Sequence, residues 1–157
     1  MQSSKPFKNK RLTYRLDIIA QEAIAAADDI AVRETGCRIR DIRVLRLIDD
    51  APGTTFAEIS KIMGYDKSLT SRIIRNLISK GLIQRENSEE DARVFFLSTT
   101  TRGKEVRLTA RRVSDNLDTV LTDPLSAEDL RQLDDILARL GRWVTSGDFQ
   151  AALTERV

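Results

Sequence analysis

The sequence predicts a mainly α fold with a small β-wing: a winged helix-turn-helix flanked by long N- and C-terminal helices. Three observations predict it. Two short apolar-striped segments meet at Gly64. Beyond Gly81, two alternating segments are separated by the polar run N-S-E-E-D-A. At both ends, apolar residues recur every three to four positions over long stretches, the period of a helix face.

The first short helix starts at Thr55. Thr55 and Glu58 have capping-box spacing, so hydroxyl and carboxylate each satisfy a free amide at the helix start. Phe56, Ile59, Ile62 and Met63 form its apolar stripe. Gly64 ends it, because glycine enters the left-handed conformation of a sharp helix stop at no steric cost. Asp66 is a good N-cap for a second helix over 67–80. There Leu69, Ile73 and Leu77, flanked by Ile74 and Ile78, point inward, while Ser68, Ser71, Arg72 and Arg75 share the opposite face. Gly81 closes this helix. Segments 82–86 and 93–98 then pair as a hairpin, rich in β-branched and aromatic residues, with Asp91 and Arg93 close to its tip.

Those polar positions carry a definite chemistry. Arginine donates two hydrogen bonds to the O6 and N7 edge of guanine, or reaches a phosphate. Hydroxyls and free amides at a helix start suit phosphate oxygens. Lys67, Ser68, Thr70, Ser71, Arg72 and Arg75 are therefore the candidate duplex-contacting residues on the helix. Arg93 on the wing suits a minor groove, with Asp91 placed to hold it by a charge-assisted hydrogen bond. A solvated helix face and a weak surface ion pair are the plainer alternatives.

The ordered motifs resemble the MarR family of bacterial transcription regulators. They are Lys80-Gly81-Leu82-Ile83-Gln84-Arg85, Asp91-Ala92-Arg93, and Thr100-Thr101-Arg102-Gly103, with family spacing and no insertion. Ala92 stands where many members carry a basic residue, and Thr99 where a leucine is usual. The resemblance implies a single MarR-type domain over 1–157. Its winged helix is 39–100, and its dimerisation helices are 8–34 and 104–146. It also implies a homodimer on an inverted-repeat operator of double-stranded DNA. Such a regulator, most often a repressor, is released by a small aromatic or phenolic anion.

Composition fits this picture. The 157 residues suit one domain of ordinary size. No apolar run approaches the ~20 residues of a membrane-spanning helix. The N-terminus lacks the apolar core of a signal peptide. A single cysteine argues against a disulfide framework, and a cytoplasmic location follows most simply. Net charge is +2, but it is segregated. Residues 54–114 hold 12 Lys/Arg against 7 Asp/Glu, and residues 115–157 hold 4 against 9. The basic middle coincides with the winged helix, which is the footprint of a polyanion-binding surface.

The flanks read as assembly helices. Residues 8–34 repeat Leu12, Leu16, Ile19, Ala23, Ala27 and Ile30. A second helix over 39–49 turns Ile42, Leu45 and Ile48 inward, before a turn at 50–53. Residues 104–121 carry Val106, Ala110, Val113, Leu117 and Leu121, until Asp123-Pro124 breaks the helix. Ser126 and Asp129 cap a last helix whose Leu130, Leu133, Leu137, Leu140 and Val144 form a narrow seam. A second copy of the chain would bury these stripes.

Other functions find less support. There is no histidine, the commonest general base and metal ligand. One cysteine cannot build the usual zinc site, and no Gly-rich phosphate loop is present. No catalytic residue, metal or cofactor is expected. A winged helix used only for protein contacts is an alternative, but it would not need converging basic edges. For an effector, Tyr14 and Arg15 on the first helix and Arg40 and Arg43 on the second are candidates, since arginine fork-binds a carboxylate. Cys37, close to Arg38 and Arg40, is the candidate for a redox-sensing alternative if those charges lower its pKa.

Overall fold

A computed structural model describes residues 11–87 and 94–156. The chain divides into two compact units, residues 1–117 and residues 118–157. The first unit runs α1 (Leu12–Thr35), α2 (Ile39–Asp50), β1 (Thr54–Thr55), α3 (Phe56–Met63), α4 (Lys67–Ser79), β2 (Ile83–Asn87), β3 (Phe95–Thr99) and most of α5 (Thr101–Thr122). The second holds the end of α5, α6 (Ala127–Val144) and α7 (Gly147–Glu155).

The helix-turn-helix forms for the local reasons anticipated. The Thr55 N–H donates to Glu58 at 2.8 Å and the Glu58 N–H to the Thr55 hydroxyl at 3.3 Å, closing a capping box. The Thr55 N–H, and after it the Thr55 hydroxyl donating to the same carboxylate oxygen at 2.8 Å, hold the Glu58 carboxyl below the usual range. Gly64 is left-handed, φ 64°, and Asp66 caps α4 by accepting from the Leu69 N–H at 2.8 Å. The core gathers Ile42, Leu45 and Ile48 from α2, Ile59 from α3, and Ile73, Ile74 and Leu77 from α4. Leu82, Leu97 and Ala110 pack with them.

The sheet is three-stranded and antiparallel, in the order β1-β3-β2. Leu97 sits at its centre, paired with Thr54 on one side and Arg85 on the other, and is fully buried. β1 has no period of its own: two threonines become a strand because β3 offers a free edge, and Gly53 N–H reaches the Leu97 carbonyl at 2.8 Å. The hairpin strands lie one or two positions later than expected. Thr99 is half-buried at the end of β3, and its hydroxyl has no hydrogen-bond partner among the described residues.

Helix α5 starts at Thr101, three residues earlier than its apolar stripe indicates. Thr100 is the cause: its hydroxyl accepts from the Gly103 N–H at 3.0 Å. Arg107, mostly buried, brings α5 within 3.9 Å of Asp49 and 3.8 Å of Asp50 at the end of α2.

In α1, Ala27 and Ala31 reach the core, while Leu12, Leu16, Ile19 and Ile30 of the expected stripe are each more than 40% exposed. In the second unit, the Ser126–Asp129 capping box forms as expected. Leu130, Leu133, Ile136, Leu137 and Val144 on α6 are all exposed. α7 had no signal in the apolar period. Trp143 and Phe149 stack edge to face across its start, centroids 5.9 Å apart.

Candidate nucleic-acid interface

Helix α4 divides its residues sharply. Ile73, Ile74 and Leu77 are buried, whereas Lys67, Ser68, Arg72 and Arg75 are exposed and Ser71 is half-buried. Arg75 rests its Nε–H on the Ser71 carbonyl at 3.3 Å, one turn back. The exposed group starts at a helix N-terminus, where free amides and the positive end of the dipole favour an anion. Four long or hydroxylated donors on one ridge can address phosphates and base edges together.

Thr70 corrects the expected set. It is completely buried, accepts from the Ser60 hydroxyl at 2.9 Å and donates to the Asp66 carbonyl at 3.0 Å. It faces α3, so it fixes the angle of the helix pair and is not on the exposed ridge. Asp91 and Arg93 lie outside the described residues.

Arg85 and the Asp41–Asn76 pair had no place in the sequence-based set. The Arg85 guanidinium lies 5.7 Å from the centroid of Phe95 in the neighbouring strand, a cation–π contact that holds an exposed cation against the wing. The hairpin pairs Arg85 with Leu97 and Asn87 with Phe95, so this contact is diagonal and could have been drawn once the register was known. Asp41 and Asn76 stand 35 residues apart, and no spacing rule links them.

Beside α4 is a cleft of about 880 Å³ between the C-terminal half of α1, the start of α2 and the flank of α4. Arg38, Arg40, Arg72 and Lys80 line it together with Glu22, Asp28 and Asp41. Of the four candidate effector residues only Arg40 reaches it. Tyr14, Arg15 and Arg43 are exposed and outside the lining, so the four do not converge on one site. Asp41 is the buried member: its Oδ2 accepts from the Arg38 N–H at 3.2 Å and from Asn76 Nδ2 at 2.9 Å. Burial outweighs those bonds and raises its pKa.

Cys37 is 1% exposed, in the turn between α1 and α2. Burial, then the charge of Asp41, pushes its thiol pKa up, against a smaller opposing effect of Lys80. The expected activation by Arg38 and Arg40 is therefore corrected. Both arginines are exposed to solvent, where screening weakens their field, while the sulfur is desolvated.

Two capped helices joined at a left-handed glycine, with a β-hairpin behind the second, define a winged helix-turn-helix protein. Residues 38–94 match the MarR family model, and over that stretch the chain is similar to MarR-family winged-helix proteins. An uncharacterized HTH-type transcriptional regulator of Bacillus subtilis (strain 168), YdgJ, is 26% identical over 106 residues, 68% of this chain and 65% of its own length. The HTH-type transcriptional regulator BilQ of Clostridium symbiosum is 26% identical over 95 residues, 60% of this chain and 66% of its own length. The chain thus spans just under two thirds of both curated relatives.

Among solved structures, a crystal structure of MarR matches with a TM-score of 0.78 at 21% identity, over 98% of both chains. The transcriptional regulator SlyA matches at 0.77 and 22%, over 91% of this chain and 99% of its own. A mutant MarR from E. coli complexed with operator DNA matches at 0.74 and 22%, over 87% and 99%. At these identities the likeness establishes the fold.

Proposed function

We propose that this chain is a homodimeric transcriptional regulator that binds an inverted-repeat operator in double-stranded DNA. Lys67, Ser68, Ser71, Arg72 and Arg75 carry recognition in the major groove, and Asp91 and Arg93 act on the wing. The whole chain works as one MarR-type domain, with 39–100 facing DNA and 8–34 and 104–146 pairing with a second copy. The observation that carries this reading is the exposed ridge of Lys67, Ser68, Arg72 and Arg75 on an N-capped helix whose other face is core. A protein of the same fold, a mutant MarR from E. coli, is solved in complex with operator DNA, which supports the DNA-binding reading. The regulator is a cytoplasmic repressor without enzymatic activity, and a small aromatic or phenolic anion releases it from DNA. Among the described residues no helix is long and apolar enough to cross a membrane.

The test is selection from a randomised duplex pool, followed by titration of the enriched duplex with wild type, Arg72→Ala and Arg93→Ala. A two-fold dimer should enrich inverted half-sites about one helical turn, roughly 10 bp, apart. Both variants should bind more weakly while keeping the wild-type thermal midpoint. Undiminished binding by both would leave the winged helix as a protein-contact module instead.

A further inference from the structure

We propose that Asp41 is a positioning residue for DNA recognition: from α2 it holds Asn76, and through Asn76 it sets the orientation of helix α4. This rests on the reading of α4 as the DNA-contacting helix. Asp41 is 7% exposed, so it cannot itself touch DNA. Asn76 lies one turn beyond Arg72 on α4, and both line the cleft beside the helix.

The geometry explains why α4 needs such a hold. Ile73, Ile74 and Leu77 fix one side of the helix by close packing. On the flank, Arg72, Asn76 and Lys80 follow each other at four-residue intervals and face the open cleft. Apolar contact is non-directional, so it resists separation of α4 from the core more than rotation about its axis. A hydrogen bond to a buried carboxylate is directional and strong. The 2.9 Å bond from Asn76 Nδ2 to Asp41 Oδ2 spans the cleft edge and resists that rotation.

Asp41 is itself fixed. The same oxygen accepts from the Arg38 N–H at 3.2 Å, capping α2. The next amide, Ile39 N–H, donates to Asp28 Oδ1 on α1 at 2.8 Å. Two carboxylates thus clamp the start of α2, one from α1 and one from within, and the second extends the clamp to α4. A rotation of α4 by a fraction of a turn would move the Arg72 and Arg75 guanidinium groups off the base edges while leaving them near phosphates. Loss of the clamp should therefore weaken binding to the preferred duplex and spare non-specific binding.

The experiment compares wild type, Asn76→Asp, Asp41→Asn and the swap Asp41→Asn/Asn76→Asp. The probes are the duplex enriched by wild type and poly(dI-dC), with thermal midpoints in parallel. Asn76→Asp sets two carboxylates against each other and should weaken binding to the enriched duplex by about tenfold or more, with poly(dI-dC) binding little changed. Asp41→Asn keeps an acceptor for both amides and should have the smaller effect. The swap restores one amide facing one carboxylate, and should recover affinity for the enriched duplex. If Asn76→Asp does not fold, Asn76→Ala removes the donor without adding charge and gives the same readout. Equal losses on both probes, or a swap no better than Asn76→Asp alone, would overturn the proposal. Wild type enriching no duplex would overturn the DNA-binding reading and this inference with it. If Arg72→Ala weakens binding and neither Asn76 variant does, the inference alone fails.

Discussion

The Thr100 hydroxyl donates to the Gly81 carbonyl at 2.6 Å, joining the start of α5 to the turn that follows α4. Around that bond, the Thr100 N–H donates to the Leu82 carbonyl at 3.0 Å and Gly103 lies against the same peptide. The Thr-x-x-Gly motif thus closes the base of the wing. A Cβ on Gly103 would stand 2.0 Å from the Leu82 oxygen and 2.7 Å from Thr99 Cγ2.

Gly103→Ala should accordingly destabilise the chain, by about 1–3 kcal/mol or more, despite the better helix propensity of alanine. Thr100→Val, which keeps the shape and loses both hydroxyl bonds, should cost about 1–2 kcal/mol. Urea unfolding of the two variants checks this. A Gly103→Ala protein as stable as wild type would mean that the wing base yields where it is expected to be rigid.

Helix and wing should fail differently on DNA. Losing a bidentate guanine contact at Arg72 or Arg75 should cost about 1–3 kcal/mol and relax the preference at one base pair. Arg93→Ala should weaken binding to all sequences more evenly and make the salt dependence shallower by about one unit. Asp91→Ala should act in the same direction more mildly. Binding isotherms on operator variants at several salt concentrations separate the two patterns, and a changed base preference confined to Arg93→Ala would reverse the assignment.

Acid should favour the environment of Asp41. Its folded-state pKa is raised by burial above the ordinary aspartate value, so the folded chain binds the proton more readily than the unfolded chain. Between the ordinary aspartate value and the raised one, this group makes stability fall as pH rises. Asp41→Asn removes that dependence. The stability difference between wild type and Asp41→Asn should therefore shift in favour of wild type as pH is lowered through that window, read from denaturant midpoints. A constant difference across the range would show that Asp41 titrates like an exposed carboxyl.

Cys37 should be inert while the chain is folded. A desolvated thiol beside Asp41 has little thiolate. Labelling by a thiol reagent should be slow in buffer and fast in denaturant, and mild peroxide should leave DNA binding unchanged. Rapid labelling of the native chain would revive a redox role.

The exposed seam of α6 should be where two copies meet. Replacing Leu133 and Leu137 with Asp, or deleting residues 130–157, should convert a stable dimer into monomer or aggregate at micromolar concentration. Light scattering and sedimentation can decide this, and a full-length chain that is already a folded monomer would refute it.

Much of the framework was legible because its causes are local. Thr55–Glu58, Asp66 and Ser126–Asp129 cap their helices through bonds across three residues. Gly64 and Gly81 stop theirs through their own positive φ. Ile42, Leu45, Ile48, Ile73 and Leu77 revealed their burial through a 3.6-residue period. What the sequence determined by itself was thus the order of the main helices and the hairpin, the ends set by local caps and glycines, and the inward side of α2 and α4.

Only the tertiary structure decided the rest. β1 exists because β3 has an edge to pair with. Thr70 and Ser71 are neighbours of like chemistry, yet Thr70 is fully buried because α3 covers it with Ser60. Cys37 has arginines close in sequence, but the sulfur responds to the burial and carboxylate around it in space. Asp41 and Asn76 meet because α2 and α4 pack on one core. Short-range bonds and periodic burial are written along the chain. Desolvation and contacts between distant residues exist only once the chain has closed on itself, and they set the chemistry of the groups around α4.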